Sequence, residues 1–479
     1  MIKQMPSSQT ANHLEHKACM RMRHIFLKLT RHELFVPLLI GIILRLVLMP
    51  FFIWPHDIVA QYYSIFYVLN HHDPYSVFVS MYPPLIYVIF CPLLSLISQM
   101  GIELKFNVFP ETFEAATVTE LITSIYGDPV FLVFWKIPLF VFDLLLGILI
   151  YQFTKKLTLN SSKAKKAFIL WFLNPFVLIT SYMHGAFDVI VAFFILLGLY
   201  FLIDKKYLFS GISFGLGGLT KLSPFLVAIP ILGMIFMKHA KSSLKEAFLI
   251  TFKFMAGCII PAIICLPWCI NYYNMVNTVT LNELSIKGGL NQWFFAANRN
   301  LRYGINSNIH ILMKVFYSYP LLSLIPVLFY HKIFKKTRDF PYITLLFSIL
   351  SFEILYFVLP LTVQPQYLMW IIPTLIVIYA KKKSFLYPFT IFSLAASAFF
   401  FSIQSPYAFM YPLALFTSLC TVEQLNTSIV SYASRPGFFS LYLREDLCTI
   451  FGAFAFLGHL ITLYLVIKEL SKIGKDGKP

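Results

Sequence analysis

The chain has 479 residues, of which 58% are hydrophobic and only 12% are charged. Soluble domains carry about 25% charged residues, so this composition indicates a protein embedded in a bilayer and argues against a soluble fold. The formal net charge of +17 does not indicate nucleic-acid binding, because the basic residues occur in short runs between apolar segments, as cytoplasmic loops do.

Apolar runs that could cross a membrane recur along the whole chain. A spanning helix needs about 20 mostly apolar residues and must satisfy its own backbone hydrogen bonds. We therefore expect one all-α polytopic domain over residues 1–479 with about 12 transmembrane helices. The predicted spans are 35–53, 130–153, 167–183, 187–203, 207–220, 222–237, 248–268, 310–331, 341–360, 367–380, 385–403 and 449–468.

The distribution of charge gives the predicted topology. The polar, lysine- and arginine-containing segment 1–34 and the lysine-rich tail 469–479 are predicted to be cytoplasmic. Three long segments then lie on the external side: 54–129, 269–309 and 404–448. The N-terminal segment precedes the first apolar run, which we interpret as a retained anchor rather than a cleaved signal peptide.

One apolar run, from Met81 to Ile97, is ambiguous. If it crossed the membrane, the loop 154–166, with five lysines and no acidic residue, would be external. If it does not cross, that loop is cytoplasmic, and residues 54–129 form one external loop with seven acidic residues and one lysine. We predict the second arrangement, in which the tandem prolines Pro83-Pro84 open an interfacial or re-entrant helix.

Ionisable residues inside the predicted spans need partners. Arg45 lies near the middle of the first span, where a charge costs at least a few kcal/mol, so it should face the bundle. Asp143 and Glu353 are also mid-span. Such residues are functional candidates, but internal pairing, for instance of Asp143 with Arg45, explains them equally well.

The stretch Trp54-Pro55-His56-Asp57 directly follows the first span. A carboxylate at this boundary can accept a proton if a substrate hydroxyl lies beside it, so Asp57 is a candidate general base. His56 is a candidate assistant. Asp73 is the competing carboxylate in the same loop, although His72-Asp73-Pro74-Tyr75 has the composition of a turn.

Further polar residues are predicted near the external surface. His184 and Asp188 are four residues apart, which would place them on one helix face, where they could bind a metal or a sugar or cap a helix. Lys221 could attract a lipid phosphate or extend to the interface. Arg299 and Arg302 could bind a phosphate together or belong to a solvated loop.

Several short motifs occur in order along nearly the whole chain. They are Arg45-Leu46, Asp57, Asp73-Pro74-Tyr75, Tyr82-Pro83-Pro84-Leu85, Asp143, Asn174-Pro175, His184-Gly185-Ala186-Phe187-Asp188, Thr220-Lys221-Leu222-Ser223-Pro224 and Gln366-Tyr367-Leu368-Met369-Trp370. In this order the chain resembles the GT-C integral-membrane glycosyltransferases, and it is most similar to the dolichyl-phosphate-mannose mannosyltransferases. Dolichyl-phosphate-glucose glucosyltransferases share the Tyr-Pro-Pro-Leu motif.

The resemblance implies a GT-C-type bundle and an inverting transfer of a hexose, with mannose favoured, from a polyprenyl-phosphate donor to a lipid-linked or glycan acceptor. Asp57 would be the base. The implied donor-binding residues are Lys221, Arg299, Arg302, Gln366, Tyr367, His184 and Asp188. No metal or other cofactor is expected, although a divalent metal is compatible with the chemistry. The membrane would be the endoplasmic reticulum, or the plasma membrane of a prokaryote, with the site on the external or lumenal face.

Other classes of protein remain open. A secondary transporter or lipid flippase would show paired broken helices in two corresponding halves, a symmetry that the sequence lacks. A non-catalytic subunit of a larger membrane complex explains the spans but not the ordered external polar residues. The expected partners of the enzyme are the donor, the acceptor, membrane lipid and an optional small membrane subunit, and nucleic acid is not among them.

Overall fold

The computed structural model describes residues 34–75, 82–101, 128–272, 339–358, 365–400 and 441–475, with isolated positions between 319 and 424. Every regular element in these ranges is a helix, in agreement with the predicted all-α class. The N-terminal segment 1–33 and most of the predicted span 310–331 lie outside the described residues.

The helices are numbered here in chain order. The α-helices are α1 (Phe35–Leu48), α2 (Pro55–Leu69), α3 (Leu85–Gln99), α4 (Pro129–Thr158), α5 (Ser161–Phe172), α6 (Pro175–Leu178), α7 (Asp188–Ile203), α8 (Tyr207–Gly218), α9 (Ser223–His239), α10 (Leu244–Ile264), α11 (Phe340–Val358), α12 (Ile372–Tyr379), α13 (Leu386–Phe399) and α14 (Leu441–Lys475). A π-helix (Ile179–His184) follows α6, and 3₁₀ helices cover Pro365–Trp370 and Lys383–Phe385.

Three of the described helices are long and apolar enough to cross a membrane: α4, α10 and the Ile450–Ile473 part of α14. The pair Ser161–Phe172 and Pro175–His184 makes a fourth if it is one bent span. The described part of the chain is thus consistent with a polytopic membrane protein, and the count of about 12 spans stays a prediction. Helix α14 begins before and ends after the predicted span 449–468, so it includes the first residues of the tail 469–479.

The expected straight span 167–183 is broken in the structure. Helix α5 ends at Phe172, and the chain bends by 42° before it continues through α6 into the π-helix. Pro175 cannot donate a backbone hydrogen bond inside a helix, which favours a break here. Asn174 stabilises the break, because its side-chain oxygen accepts from the Phe176 N–H (3.0 Å) and its Nδ2 donates to Ser393 Oγ (3.0 Å).

Buried pairs of ionisable side chains join helices in the interior. Arg45 has the buried partner that the sequence requires, and of the two explanations left open for Asp143 the structure shows internal pairing: Arg45 Nε donates to Asp143 Oδ2 at 2.7 Å, and both side chains are fully buried. Glu353 of α11 pairs with His459 of α14 at 2.7 Å. A charge in this environment requires such a partner, since its desolvation would otherwise cost several kcal/mol.

Helices α8 and α10 pack against each other through glycines. A methyl group at Gly257 would lie 2.9 Å from the Gly211 Cα, and one at Gly211 would lie 3.0 Å from the Gly257 Cα. This close backbone approach is a common way for membrane helices to associate. On the opposite side, α10 exposes apolar residues such as Phe248 and Phe252, which suits contact with lipid.

The predicted external segments are described in part. Helix α3 corresponds to the ambiguous run after Pro83-Pro84, and its 15 residues reach about 22 Å, less than the ~30 Å hydrocarbon core. Its placement on the external side stays a prediction. Residues 102–127 of the first segment, residues 273–309 of the second and most of 404–440 lie outside the described residues.

Candidate functional site

Asp188 is the centre of a buried polar cluster. It is the first residue of α7, where the helix dipole favours a negative charge, and it is fully buried. Both of its carboxylate oxygens accept from Lys221 Nζ at 2.9 Å. Trp370 Nε1 donates to Oδ1 at 2.8 Å. A carboxylate from one helix is thereby joined to a lysine after α8 and to the 3₁₀ helix Pro365–Trp370.

Lys221 lies between this carboxylate and two aromatic rings. Its Nζ is 4.9 Å from the centre of the Tyr367 ring and 5.8 Å from that of Trp370, and the two rings stack at 4.5 Å. These distances allow cation–π attraction. The ammonium is thus oriented and its charge is balanced by Asp188, while 18% of the side chain remains exposed.

Gln366 and Tyr367 follow Pro365 in the 3₁₀ helix that ends at Trp370. Gln366 is buried, and its Oε1 has no hydrogen-bond partner among the described residues. The Tyr367 carbonyl accepts from the Tyr356 hydroxyl at 2.7 Å. The structure therefore brings the Gln-Tyr-x-x-Trp motif to Lys221, and this motif also carries the buried Gln366 acceptor.

His184 and Asp188 do not share a helix face, so that prediction was wrong. His184 ends the π-helix, Gly185 has φ +86°, and α7 begins at Asp188. The left-handed conformation at Gly185 interrupts the helical periodicity on which the prediction relied. His184 is instead buried, and its ring stacks on Trp54 at 5.8 Å with an interplanar angle of 11°.

Asp57 and His56 lie in the first turn of α2, which begins at Pro55 directly after Trp54. Their side chains are outside the described residues, so the structure gives only their backbone position. The Trp54 N–H donates to the His184 carbonyl at 2.9 Å, which fixes the start of α2 beside the end of the π-helix. Arg299 and Arg302 lie wholly outside the described residues.

The Asp73 carboxylate accepts two hydrogen bonds that hold the local backbone. Its Oδ1 accepts from the Tyr75 N–H at 3.0 Å, and its Oδ2 accepts from Asn271 Nδ2 at 3.1 Å. The first bond is that of a side-chain turn, as the His-Asp-Pro-Tyr composition predicts. Burial raises the pKa of the Tyr75 phenol, and its hydroxyl donates to the Tyr82 carbonyl at 3.0 Å.

The Tyr-Pro-Pro-Leu motif connects this turn to the polar cluster. Leu85 donates its N–H to the Leu219 carbonyl at 3.0 Å, two residues before Lys221. The Tyr82 hydroxyl accepts from Gln61 Nε2 at 3.2 Å, and its ring contacts Phe187 at 5.6 Å. Motifs far apart in sequence thus converge where α3 and α7 begin and α8 ends, and Gln61 joins the middle of α2 to them.

Sequence reasoning missed two residues of the site. Trp370 was noted only as part of a motif, and the role of Tyr356 gave no sequence signal, because isolated tyrosines in apolar spans are common. No group of three or more His, Cys, Asp or Glu side chains within the described ranges could hold a metal ion.

Comparison with known proteins gives two similarities. Residues 55–285 match the family model of the GPI transamidase subunit PIG-U. A stretch of 130 residues is 32% identical to GPI mannosyltransferase 1 of Kluyveromyces lactis, covering 26% of this chain and 31% of that relative. This chain therefore matches less than a third of the length of the mannosyltransferase. No solved structure matches the chain.

The mannosyltransferase similarity supports, over a short stretch, the resemblance inferred from the motifs. The match to a transamidase subunit adds a family that the motifs did not indicate. Its range, 55–285, includes Asp57, His184, Asp188 and Lys221 but not Gln366. The chain is thus similar to proteins named for two different steps that involve GPI.

Proposed function

We propose that this protein is a membrane glycosyltransferase that transfers a hexose, with mannose favoured, from a polyprenyl-phosphate donor to a lipid-linked or glycan acceptor related to GPI. The observation that carries the proposal is the convergence of the Asp57-bearing helix with the Asp188–Lys221 pair and the Gln366-Tyr367 segment. The local similarity to GPI mannosyltransferase 1 supports it. Dolichyl-phosphate-glucose is the alternative donor.

In the proposed reaction, Asp57 takes the proton from the acceptor hydroxyl as that oxygen attacks the anomeric carbon. The bond between this carbon and the phosphate oxygen breaks on the opposite face, so the configuration inverts and polyprenyl phosphate leaves with the negative charge. Lys221, Arg299 and Arg302 would stabilise that charge, which is where a fixed cation helps most.

The Asp188–Lys221 pair fits this role as a preorganised cation. The ammonium donates hydrogen bonds to both carboxylate oxygens and is held in place by them, so it need not reorganise when charge develops on a phosphate. The rings of Tyr367 and Trp370 limit the access of water, which strengthens electrostatic interactions at the exposed part of the lysine. His184 and the buried Gln366 oxygen would contact the sugar.

The remaining parts of the proposal concern location and partners. The protein would act at the lumenal face of the endoplasmic reticulum membrane, or at the outer face of a prokaryotic plasma membrane. It would bind its two lipid-linked substrates directly and would need no cofactor. A small membrane subunit is an optional further partner in this proposal.

A second candidate is a non-catalytic subunit of a GPI transamidase. The family-model match over residues 55–285 favours it. In this case the same convergent cluster would bind the lipid-linked glycan without transferring sugar, and Asp57 would contact a hydroxyl group of that glycan rather than deprotonate it.

Sugar transfer by the purified full-length protein tests the first candidate. Polyprenyl-phosphate-mannose and polyprenyl-phosphate-glucose would be offered with lipid-linked acceptors in lipid nanodiscs. Asp57→Asn should lower the rate of transfer by about 10²–10⁴-fold, the range that a general base contributes. Asp73→Asn is the matched control, because its carboxylate holds a turn, and its effect on the rate should be much smaller.

Two outcomes would contradict the proposal. Transfer by Asp57→Asn at the wild-type rate would refute the assignment of the base. If the wild-type protein consumes no donor with any acceptor, the enzyme proposal fails. Cross-linking of a photoreactive GPI precursor to residues near Lys221, in the absence of transfer, would then support the second candidate.

A further inference from the structure

A buried charged network holds the middle of the π-helix Ile179–His184. The last residue of this π-helix contacts the segment that leads to Asp57. Tyr182, in the middle of this helix, is fully buried, and its hydroxyl donates to Asp143 Oδ2 at 2.8 Å. Short π-helical turns are rare in proteins, and those that occur are often found at functional sites. The network is separate from the Asp188–Lys221 cluster.

Asp143 is a rigid anchor for the π-helix because several elements hold it. Arg45 Nε of α1 donates to its Oδ2 at 2.7 Å, and Trp171 Nε1 of α5 donates to its Oδ1 at 2.7 Å. Arg45 is held in turn by the carbonyls of Gly41 and Phe172. A fully buried carboxylate with these donors cannot move without breaking charged hydrogen bonds.

At its other end, the π-helix contacts the chain that leads into α2. The His184 carbonyl accepts from the Trp54 N–H, and the His184 ring stacks on the Trp54 ring. A methyl group at Gly185 would lie 3.2 Å from Ile53 Cγ1. A shift of the π-helix would therefore move residues 53 and 54 with it. Asp57 is three residues further along the chain.

A second anchor holds the same segment from the side of α4. Lys136, which is fully buried, donates to the carbonyls of Met49 (2.8 Å) and Phe52. These carbonyls follow α1, where the helix dipole favours a positive charge. The segment 49–54 is thus held by Lys136 on one side and by the π-helix on the other, and both anchors belong to α4, directly or through Asp143.

We propose that Tyr182, acting through its hydrogen bond to Asp143, is a positioning residue that sets the π-helix against Trp54 and so fixes the start of the helix that carries Asp57. The catalytic consequence of this contact rests on the proposed function, whereas the mechanical coupling does not. Neither Tyr182 nor Asp143 touches the substrate in this scheme.

Two tyrosine variants isolate the coupling. Tyr182→Phe removes one hydroxyl and keeps the ring, so it is less disruptive than Asp143→Asn, which would leave Arg45 without its carboxylate. Tyr342→Phe is the matched control, because this buried tyrosine also donates one hydrogen bond to a carboxylate, that of Glu469, at 3.2 Å. Tyr342 lies about 21 Å along α11 from Tyr356, which contacts the site.

Hydrogen exchange of the peptide amides in residues 49–58 is the primary measurement, made on the full-length protein in nanodiscs. We expect Tyr182→Phe to accelerate exchange at Trp54 by about tenfold, as the loss of a hydrogen bond to a charged group allows. Tyr342→Phe should leave this segment unchanged. Unchanged exchange in Tyr182→Phe, or equal acceleration in both variants, would overturn the proposal.

Kinetics separate this inference from the proposed function. If the protein transfers sugar, Tyr182→Phe should lower kcat by about tenfold with an unchanged KM for the donor, and it should add little to the loss in Asp57→Asn, as expected for residues that act through one another. An additive loss would contradict coupling through Asp57. If the wild type has no transferase activity but exchange behaves as expected, the coupling stands and the enzyme proposal fails.

Discussion

At the scale of single residues, Asp188 determines the charge balance of the site. It is fully buried and accepts hydrogen bonds from both Lys221 and Trp370. Asp188→Asn removes the charge but keeps the shape, leaving the ammonium largely enclosed by protein. Breaking such a pair costs about 3–5 kcal/mol, and we expect the lower end because Lys221 is partly exposed.

Thermal unfolding of Asp188→Asn in detergent micelles measures this loss. The double variant Asp188→Asn/Lys221→Met should be more stable than Asp188→Asn alone, because it also removes the buried charge that Asp188 balanced. If the second substitution lowers stability further by its full single-variant effect, the two residues are not coupled and the ion pair contributes little.

Gly185 offers a second prediction at a single residue. Its φ of +86° is unfavourable for other residues by about 1–2 kcal/mol, and a methyl group would also approach Ile53 at 3.2 Å. Gly101 is a matched control, with φ +79° and nothing within 4 Å of an added methyl group. Both alanine variants should lose stability in thermal unfolding, and Gly185→Ala should lose more.

The excess loss in Gly185→Ala isolates its contact with Ile53 from the backbone strain that both variants share. Equal losses would show that the segment before Trp54 moves away from the π-helix without a cost in free energy. Such a result would also weaken the coupling between these two elements.

At the scale of helices, the sequence predicted contacts that depend on charge better than those that depend on helical periodicity. The pairing of Arg45 with Asp143 followed from the cost of an unpaired charge in a span. The turn at Asp73 followed from local composition. The relation of His184 to Asp188 was missed because a spacing of four residues assumes an unbroken helix, whereas Gly185 ends the π-helix between them.

One physical reason explains why the sequence did not indicate the roles of Trp370 and Tyr356 at the site. Trp370 and Tyr356 bind through single polar atoms on large apolar side chains, so their sequence signal is that of core residues. Their partners lie far away along the chain: Trp370 donates to a carboxylate that is 182 residues earlier. Only the folded arrangement of helices identifies such contacts.

The contact between α8 and α10 gives a prediction at this scale. Gly257→Ala would place a methyl group 2.9 Å from both the Gly211 Cα and the Ile212 N. Backbone atoms cannot rotate away as side chains do, so the helices must separate, with a loss of about 1–3 kcal/mol. Ile259→Val, at an exposed position on the same helix, should leave the thermal unfolding temperature nearly unchanged. Equal stability of Gly257→Ala and the wild type would contradict the close packing.

At the scale of the whole molecule, α4 indicates the depth of its neighbours. Its 30 residues extend about 45 Å, more than the ~30 Å hydrocarbon core, so an upright α4 reaches beyond the core. Lys136 binds the carbonyls that follow α1, and the adjacent Trp135 packs on Phe90, in the middle of α3, at 4.9 Å. The middle of α3 therefore lies near the end of α1. If α1 ends at the external membrane surface, as the charge distribution predicts, α3 starts too close to that surface for its 15 residues to cross.

Single cysteines in a background without the seven native ones test this topology in sealed membrane vesicles. His71, Met100 and Leu159 are exposed positions at the end of α2, the end of α3 and the turn after α4. If α3 does not cross, a membrane-impermeant thiol reagent applied from the cytoplasmic side should label a cysteine at Leu159 in intact vesicles. It should label cysteines at His71 and Met100 only after permeabilisation. A crossing α3 would instead place Met100 on the cytoplasmic side and Leu159 on the external side, so labelling of Met100 but not of Leu159 in intact vesicles would show it. In that case the lysine-rich loop after α4 would lie on the external side, contrary to the positive-inside rule.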